Sequence, residues 1–169
     1  MKEHIDVLGE ADRLTKALKS TGILINTQLD GRLNAMTMGW AFIGRLWQVP
    51  YIMSFVRESR FTKALLDKSG VYTISVPDES TDKKILAYCG SKSGRDTDKI
   101  KDLSLTPEEA EKNGVPGFKE LPLTIECRLL YSQLMDKSRV PRQMQEEWYN
   151  DEDYHWLLCG QVLSAYYIR

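Results

Sequence analysis

Apolar residues fall into two rhythms along this chain, and the changes between them mark its elements. Leu8, Ala11, Leu14 and Leu18 recur at helical spacing with Gly22 just beyond, which predicts a helix over Leu8 to Ser20. Ile23, Leu24 and Ile25 are the apolar body of a strand over Gly22 to Gln28. Asp30-Gly31 then stands between two strand-like runs, a strong hairpin signal. The run Asn34 to Phe42 mixes small residues with aromatics and reads as a strand; a kink is expected at Val49-Pro50, and Tyr51 to Val56 is a further strand. It stops at Arg57-Glu58-Ser59-Arg60, where Ser59 stands at an N-cap position. A short helix follows, with Phe61, Ala64 and Leu65 on one face, and ends near Ser69-Gly70.

Beyond it, Val71 to Val76 alternates and ends at Pro77-Asp78, so it is predicted as a strand; Ser80 to Cys89 is predicted as a helix with Ile85, Leu86 and Cys89 on one side. Gly90 to Lys99 is a polar loop, and loops of this kind carry function more often than stability. Thr106-Pro107-Glu108-Glu109 predicts a short helix, with a capping Thr, Pro in the first position and acids in the first turn, closed by Asn113-Gly114. Leu121 to Leu134 is a long strand that sets Ile125, Cys127, Leu129 and Tyr131 against Glu126, Arg128, Leu130 and Ser132. Ser138 to Asn150, with Pro141 and an acidic helical piece, reads as a surface excursion. Tyr154 to Ile168 is the last strand region, where Gly160 suggests a bulge or bend. Six or more strands without regular strand–helix alternation give an α+β chain, mainly β: an antiparallel barrel with helices packed outside.

Composition narrows the function. The 169 residues are expected to form one domain, or one with a small appendage. A net charge of −1, with basic residues spread along the chain, gives no footprint for nucleic acid. The N-terminus lacks the apolar core of a signal peptide and no apolar run approaches a membrane span, so a soluble, cytoplasmic protein is expected. Cys89, Cys127 and Cys159 are odd in number and far apart, and with only His4 and His155 they build neither a disulfide framework nor a metal centre; buried filler is their expected role.

The chemistry points to the turn after Val56. Arg57, Ser59, Arg60 and Thr62 fall within six residues where a strand gives way to a helix, so free N–H groups, the positive end of the helix dipole and two guanidinium groups converge. That arrangement suits a phosphate. Strand-to-helix turns with an arginine are also common without a ligand. Gly90-Ser91-Lys92-Ser93-Gly94-Arg95 looks like a second anion loop but lacks Walker spacing. No nucleophile–base pair with catalytic spacing is present, and Glu108-Glu109 and Glu146-Glu147 read as solvated helix faces.

Taken together, Asp30-Gly31, Asn34-Ala35-Met36-Thr37 with Trp40, Val49-Pro50, the Arg57 to Thr62 cluster, and Ser93-Gly94-Arg95-Asp96 with Asp98-Lys99 resemble the flavin reductase-like, FMN-binding split-barrel family, which includes flavoredoxin. The resemblance runs in order from about Leu14 to Ile168. It implies a split barrel that binds FMN and receives hydride from NAD(P)H, with Asn34, Ala35, Met36 and Thr37 supplying groups to the ring edge. Met38 and Trp40 would flank the ring, though Trp40 reads equally well as core. Arg57, Ser59, Arg60 and Thr62 would take the phosphate, and Ser91, Lys92, Ser93, Gly94 and Lys99 would approach it, often from a partner subunit. His155 reads either as structural or as a neighbour of the nicotinamide. The flavin itself carries the redox chemistry, so no protein acid or base is required. A homodimer with the flavin at or near its interface is implied. The alternatives are a flavoredoxin-like carrier that holds FMN and serves a redox partner protein, and a non-catalytic flavin- or ligand-binding dimer.

Overall fold

Two tight hairpins set the register of the sheet. The computed structural model describes residues 1–169. Strand β1 (Lys2–His4) and a 3-10 turn (Val7–Glu10) precede helix α1 (Ala11–Ser20). Strands β2 (Ile23–Leu29) and β3 (Arg32–Met38) are joined by Asp30 and Gly31, both at positive φ, the geometry of the expected Asp-Gly turn. The second hairpin joins β4 (Ala41–Leu46) to β5 (Val49–Arg57). Its turn is Trp47-Gln48, again with positive φ at both residues.

These boundaries correct the sequence reading at two points. The predicted strand Asn34 to Phe42 is two strands, broken at Gly39-Trp40. The break expected at Val49-Pro50 falls two residues earlier, as the Trp47-Gln48 turn: Pro50 is already in β5, paired with Arg45 of the edge strand β4, where its missing N–H is tolerated. Neither Trp47 nor Gln48 is a residue type that signals a positive-φ turn, so the place of that hairpin turn left no trace in the pattern.

After β5 come α2 (Phe61–Ser69), β6 (Val71–Val76), α3 (Lys83–Ser91), α4 (Lys99–Asp102), β7 (Pro107–Glu108), β8 (Gly117–Phe118), β9 (Leu123–Leu134), a 3-10 turn (Lys137–Arg139), α5 (Arg142–Trp148) and β10 (His155–Ile168). Helix α2 buries Thr62, Lys63, Leu65 and Leu66, while Ala64, expected inside, faces out; Gly70 closes the helix in the left-handed conformation. Gly160 does mark a register shift in the β9–β10 pairing, opposite the fully buried Tyr72.

The main sheet runs β3-β2-β6-β9-β10-β5-β4, antiparallel throughout, with β1 on β10. Consecutive strands β3 and β4 end that path, so the barrel is split between them and bridged only by Gly39-Trp40. Ile25, Met36, Ile52, Val56, Ile74 and Ile125 fill the interior. A second core lies outside β2 and β3, where Leu24 and Ala35 meet Leu86, Phe118 and Leu121. Burial of each large side chain contributes about 1.5–3 kcal/mol.

The predicted helix after Thr106 is absent: Pro107-Glu108 pairs with Gly117-Phe118 instead. Glu126, expected on a polar face, explains this. It is fully buried, and its carboxylate accepts the N–H groups of Glu111, Lys112 and Asn113 and the Tyr166 hydroxyl. A carboxylate with four donors outcompetes helix formation in a segment that must cover it. No helix is long and apolar enough to cross a membrane.

Candidate functional site

The split in the barrel makes a pocket. Met36, Thr37 and Met38 at the end of β3, the bridge residues Gly39 and Trp40, and Phe55 to Arg57 of β5 line a small open cavity of about 120 Å³, with Arg60 and His155 at its sides. Strand β3 pairs only with β2 and is an edge strand there, the kind of edge that leaves backbone groups for another partner. Trp40 is the wall. Its carbonyl accepts from Phe55 N–H at 3.1 Å, and the residue is 38% exposed. It lies 4.5 Å from the His155 ring, tilted 35°, and meets Trp148 edge-on at 5.3 Å. Packing and exposure thus coexist in one residue.

His155 begins β10 opposite Arg57 and is buried. Its Nδ1 is 2.8 Å from the Tyr149 hydroxyl. Burial first, then the charge of Arg57 and more weakly that of Arg60, lowers its pKa to about 4, with Asp153 and Asp151 pulling the other way. The imidazole is neutral at pH 7.

The expected phosphate cluster is differently employed. Arg57 is a staple: its guanidinium donates to Asp151 at 3.1 and 3.2 Å, to the Asp153 carbonyl at 3.1 Å and to the Trp148 carbonyl at 2.8 Å. Ser59 does not cap α2; Arg60 occupies the cap position, and the Ser59 N–H and hydroxyl both donate to the Asp153 carboxylate, at 3.0 and 2.6 Å. Thr62 is buried and accepts from Asn34 Nδ2 at 2.9 Å, so that pair holds β3 to α2. Arg60 alone of the four is exposed on the pocket rim with no acidic partner. The physical reason is the excursion between β9 and β10, which brings two acids onto this turn from about ninety residues away in sequence, a separation of 94 for the Arg57–Asp151 pair.

The second cluster lies beside the first, within the same chain. Gly90 and Ser91 belong to α3 rather than to a loop, and Lys92 follows, exposed. Ser93 Oγ accepts from Arg95 N–H at 3.2 Å. Gly94 packs on Asn34, its carbonyl accepts from Arg32, and Arg95 donates to the Ser59 carbonyl at 3.2 Å. Asp98 caps α4. Lys99 points inward: it is 4% exposed, and its ammonium donates to the carbonyls of Ala35 at 2.8 Å and Cys89 at 3.0 Å. Desolvation lowers its pKa, while burial raises that of Cys89 to about 11. Lys99 therefore ties β3 to α3 and is not available to a ligand, and Ala35 is buried with it. Within the chain, Arg32 and Arg95 both lie over the Phe61 ring at the start of α2, next in sequence to Arg60.

Sequence reasoning missed Tyr149, Trp148 and Asp153, whose excursion carries no motif, and passed over Arg95 within the one it did single out. A larger cavity, about 730 Å³, lies between α1 and the β6–α3 turn. Asp12, Asp78 and Glu79 balance Arg13, Lys16 and Lys83 in it, and it offers no aromatic wall.

Comparison with known proteins agrees with this geometry. The chain resembles the flavoredoxin of Desulfovibrio vulgaris (Miyazaki F) with a TM-score of 0.67 and 25% identity, over 87% of this chain and 69% of that one. An FMN-binding domain of a flavin reductases-like enzyme from Shewanella baltica OS155 shares the fold at a TM-score of 0.66 and 17% identity, over 99% and 77%. An uncharacterised protein of Archaeoglobus fulgidus is 32% identical over 98 residues, 57% of this chain and about half, 54%, of the relative. Residues 16–169 match the family described as flavin reductase like domain, and the chain belongs to that family.

Proposed function

We propose that this chain binds FMN in the split between β3 and β4 and passes reducing equivalents between a nicotinamide coenzyme, NADH or NADPH, and that flavin. The observation that carries the reading is the placement of Trp40, the open edge of β3 and the unpaired Arg60 around one pocket. Trp40 offers a flat apolar wall; the Met36 to Gly39 backbone offers donors and acceptors to a polar ring edge; Arg60, with Arg95 near the start of α2, offers positive charge to a phosphate. When bound, the flavin supplies hydride acceptance and electron transfer. The chain's own residues orient the ring, exclude water and neutralise the phosphate.

One chain offers too little enclosure. A cavity of about 120 Å³ falls below the roughly 300–1,000 Å³ usual for ligand pockets. The adjoining sheet face is apolar and partly exposed: Phe42, Met53, Cys159 and Tyr131 form one row across β4, β5, β10 and β9, in which Cys159 is buried and Met53 half-buried while Phe42 is 66% and Tyr131 50% exposed, and Trp47 at the hairpin tip is 64% exposed. Phe55, Arg57 and His155 continue the same face into the pocket. A two-fold dimer through this face would bury the aromatics and close both pockets.

The test is a titration with FMN and riboflavin followed by visible absorbance, then anaerobic mixing with NADH and with NADPH. FMN binding tighter than riboflavin, and bleaching of the bound flavin's visible absorbance by a nicotinamide, are expected; a chain that takes up neither flavin refutes the reading. The likeness to flavoredoxin favours a second reading, an electron carrier for a redox partner protein. Bound FMN that never exchanges and reacts only slowly with either nicotinamide would select it.

A further inference from the structure

The excursion between β9 and β10 places one hydroxyl against the pocket histidine, and that contact has a consequence for the pocket. Tyr149 follows α5, is buried, stacks on Tyr154 at 4.4 Å and 6°, and holds its hydroxyl 2.8 Å from His155 Nδ1. The same hydroxyl is 3.4 Å from Met135 Sδ. A phenol has one proton to give, and an imidazole nitrogen is a far better acceptor than a thioether. The proton therefore goes to Nδ1, and the imidazole must carry its own on Nε2. Nε2 has no hydrogen bond within the chain, yet it is not among the buried unpaired atoms, and the ring lines the pocket.

We propose that Tyr149 is a positioning residue that locks His155 in the Nε2–H tautomer, so that the pocket presents one neutral N–H donor beside the Trp40 ring. The ligand group such a donor selects is an uncharged acceptor, a carbonyl or ring nitrogen at the edge of a planar ring resting on Trp40. That clause on the ligand rests on the flavin reading; the tautomer does not.

The surroundings oppose protonation from most sides. Arg57 on β5 lies across the Tyr149 ring at 5.6 Å, and Arg60 flanks the pocket ahead of α2. Asp151 and Asp153 pull the other way, but Arg57 and Ser59 engage their carboxylates. Burial keeps the Tyr149 hydroxyl protonated. Tyr154 turns its own hydroxyl to Gln145.

The chain has only two histidines, and His4 is exposed at the far end of β10, so long-range 1H–15N spectra of the 15N-labelled protein read His155 directly. Wild type is expected to show the Nε2–H pattern, unchanged from about pH 7.5 to 5.5 since the neutral form persists there. Tyr149→Phe should mix the two tautomers and move protonation toward the ordinary histidine range; Met135→Leu should change neither. An Nδ1–H pattern in wild type overturns the proposal without any variant, as does a pure Nε2–H pattern in folded Tyr149→Phe. Tyr149→Phe should weaken FMN and riboflavin alike, each about three- to tenfold, because the donor to the ring edge is then only partly present. Unchanged affinity for both flavins overturns the functional part. If wild type takes up no flavin, the flavin reading falls while the tautomer result still decides the lock.

Discussion

Gly94→Ala probes the joint on which the site depends. A methyl group on Gly94 would overlap the Asn34 carboxamide oxygen, and would lie 3.0 Å from Asn34 Cγ and 3.1 Å from Phe61 Cδ1. Asn34 is not free to swing aside, because its Nδ2 donates to the buried Thr62 hydroxyl. If the carboxamide rotates, a buried hydrogen bond is lost, at about 1–3 kcal/mol. If the loop lifts instead, the Arg32–Gly94 and Arg95–Ser59 bonds go, each worth about 0.5–1.5 kcal/mol. Both routes predict a loss of about 1–3 kcal/mol, the usual range for overpacking. For a chain of this size each kcal/mol lowers the melting midpoint by about 2–4 °C. Urea unfolding of the flavin-free protein measures the loss, and an Asn34→Ala background isolates its cause. Without the carboxamide only the Phe61 contact remains, so Gly94→Ala should cost at most half as much there. A coupling of about 1 kcal/mol between the two positions is expected. Strictly additive losses would refute the Asn34 clash as the cause.

Three further outcomes follow from the same geometry. Arg60→Ala should weaken FMN about ten- to hundredfold and leave riboflavin affinity and the melting midpoint alone; an equal loss for riboflavin would place Arg60 on the ring rather than the phosphate. Asp153→Asn removes a resident carboxylate from the Ser59 N–H and hydroxyl, so FMN should bind about three- to tenfold tighter by the loss of a competing charge, with riboflavin unchanged; weaker FMN binding would show that Asp153 supports the site. His155 takes a proton near 6.5 in the unfolded chain but only near 4 in the fold, so its contribution is intact above about pH 6.5 and is lost as pH falls toward 4. The difference in unfolding free energy between wild type and His155→Asn should therefore shrink by about 2 kcal/mol from pH 7.5 to 5, and parallel pH curves for the two proteins would count against a neutral buried imidazole.

How much of this was legible in the sequence depended on whether the deciding interaction was local. The Asp30-Gly31 hairpin was, because its φ values are ones those residues adopt readily. So were Gly70 at the end of α2 and the register shift at Gly160. The Trp47-Gln48 turn was not, since residues of that kind adopt positive φ only when flanking strands impose it. Thr106 to Glu109 carried every local helix signal and formed a strand pair, because the buried Glu126 claims the N–H groups that follow. In that segment a tertiary carboxylate overrides propensity, which is a weak prior.

The site shows the same division with the sign reversed. Arg57, Ser59, Arg60 and Thr62 are close in sequence, and their proximity suggested a shared ligand. Proximity of side chains fixes only a neighbourhood; the partners decide the role. Asn34 claims Thr62, the Asp151–Asp153 segment claims Arg57 and Ser59, and Arg60 keeps its charge for the pocket. Lys99, which the resemblance brings toward the phosphate, is held inside by the carbonyls of Ala35 and Cys89. The excursion that redistributes these roles has no recognisable motif, yet it also delivers Trp148 to Trp40 and Tyr149 to His155. One excursion thereby restrains the anion end of the pocket and orders its aromatic end, so a ligand that displaced Asp153 from Ser59 would also loosen the segment that holds His155 in place.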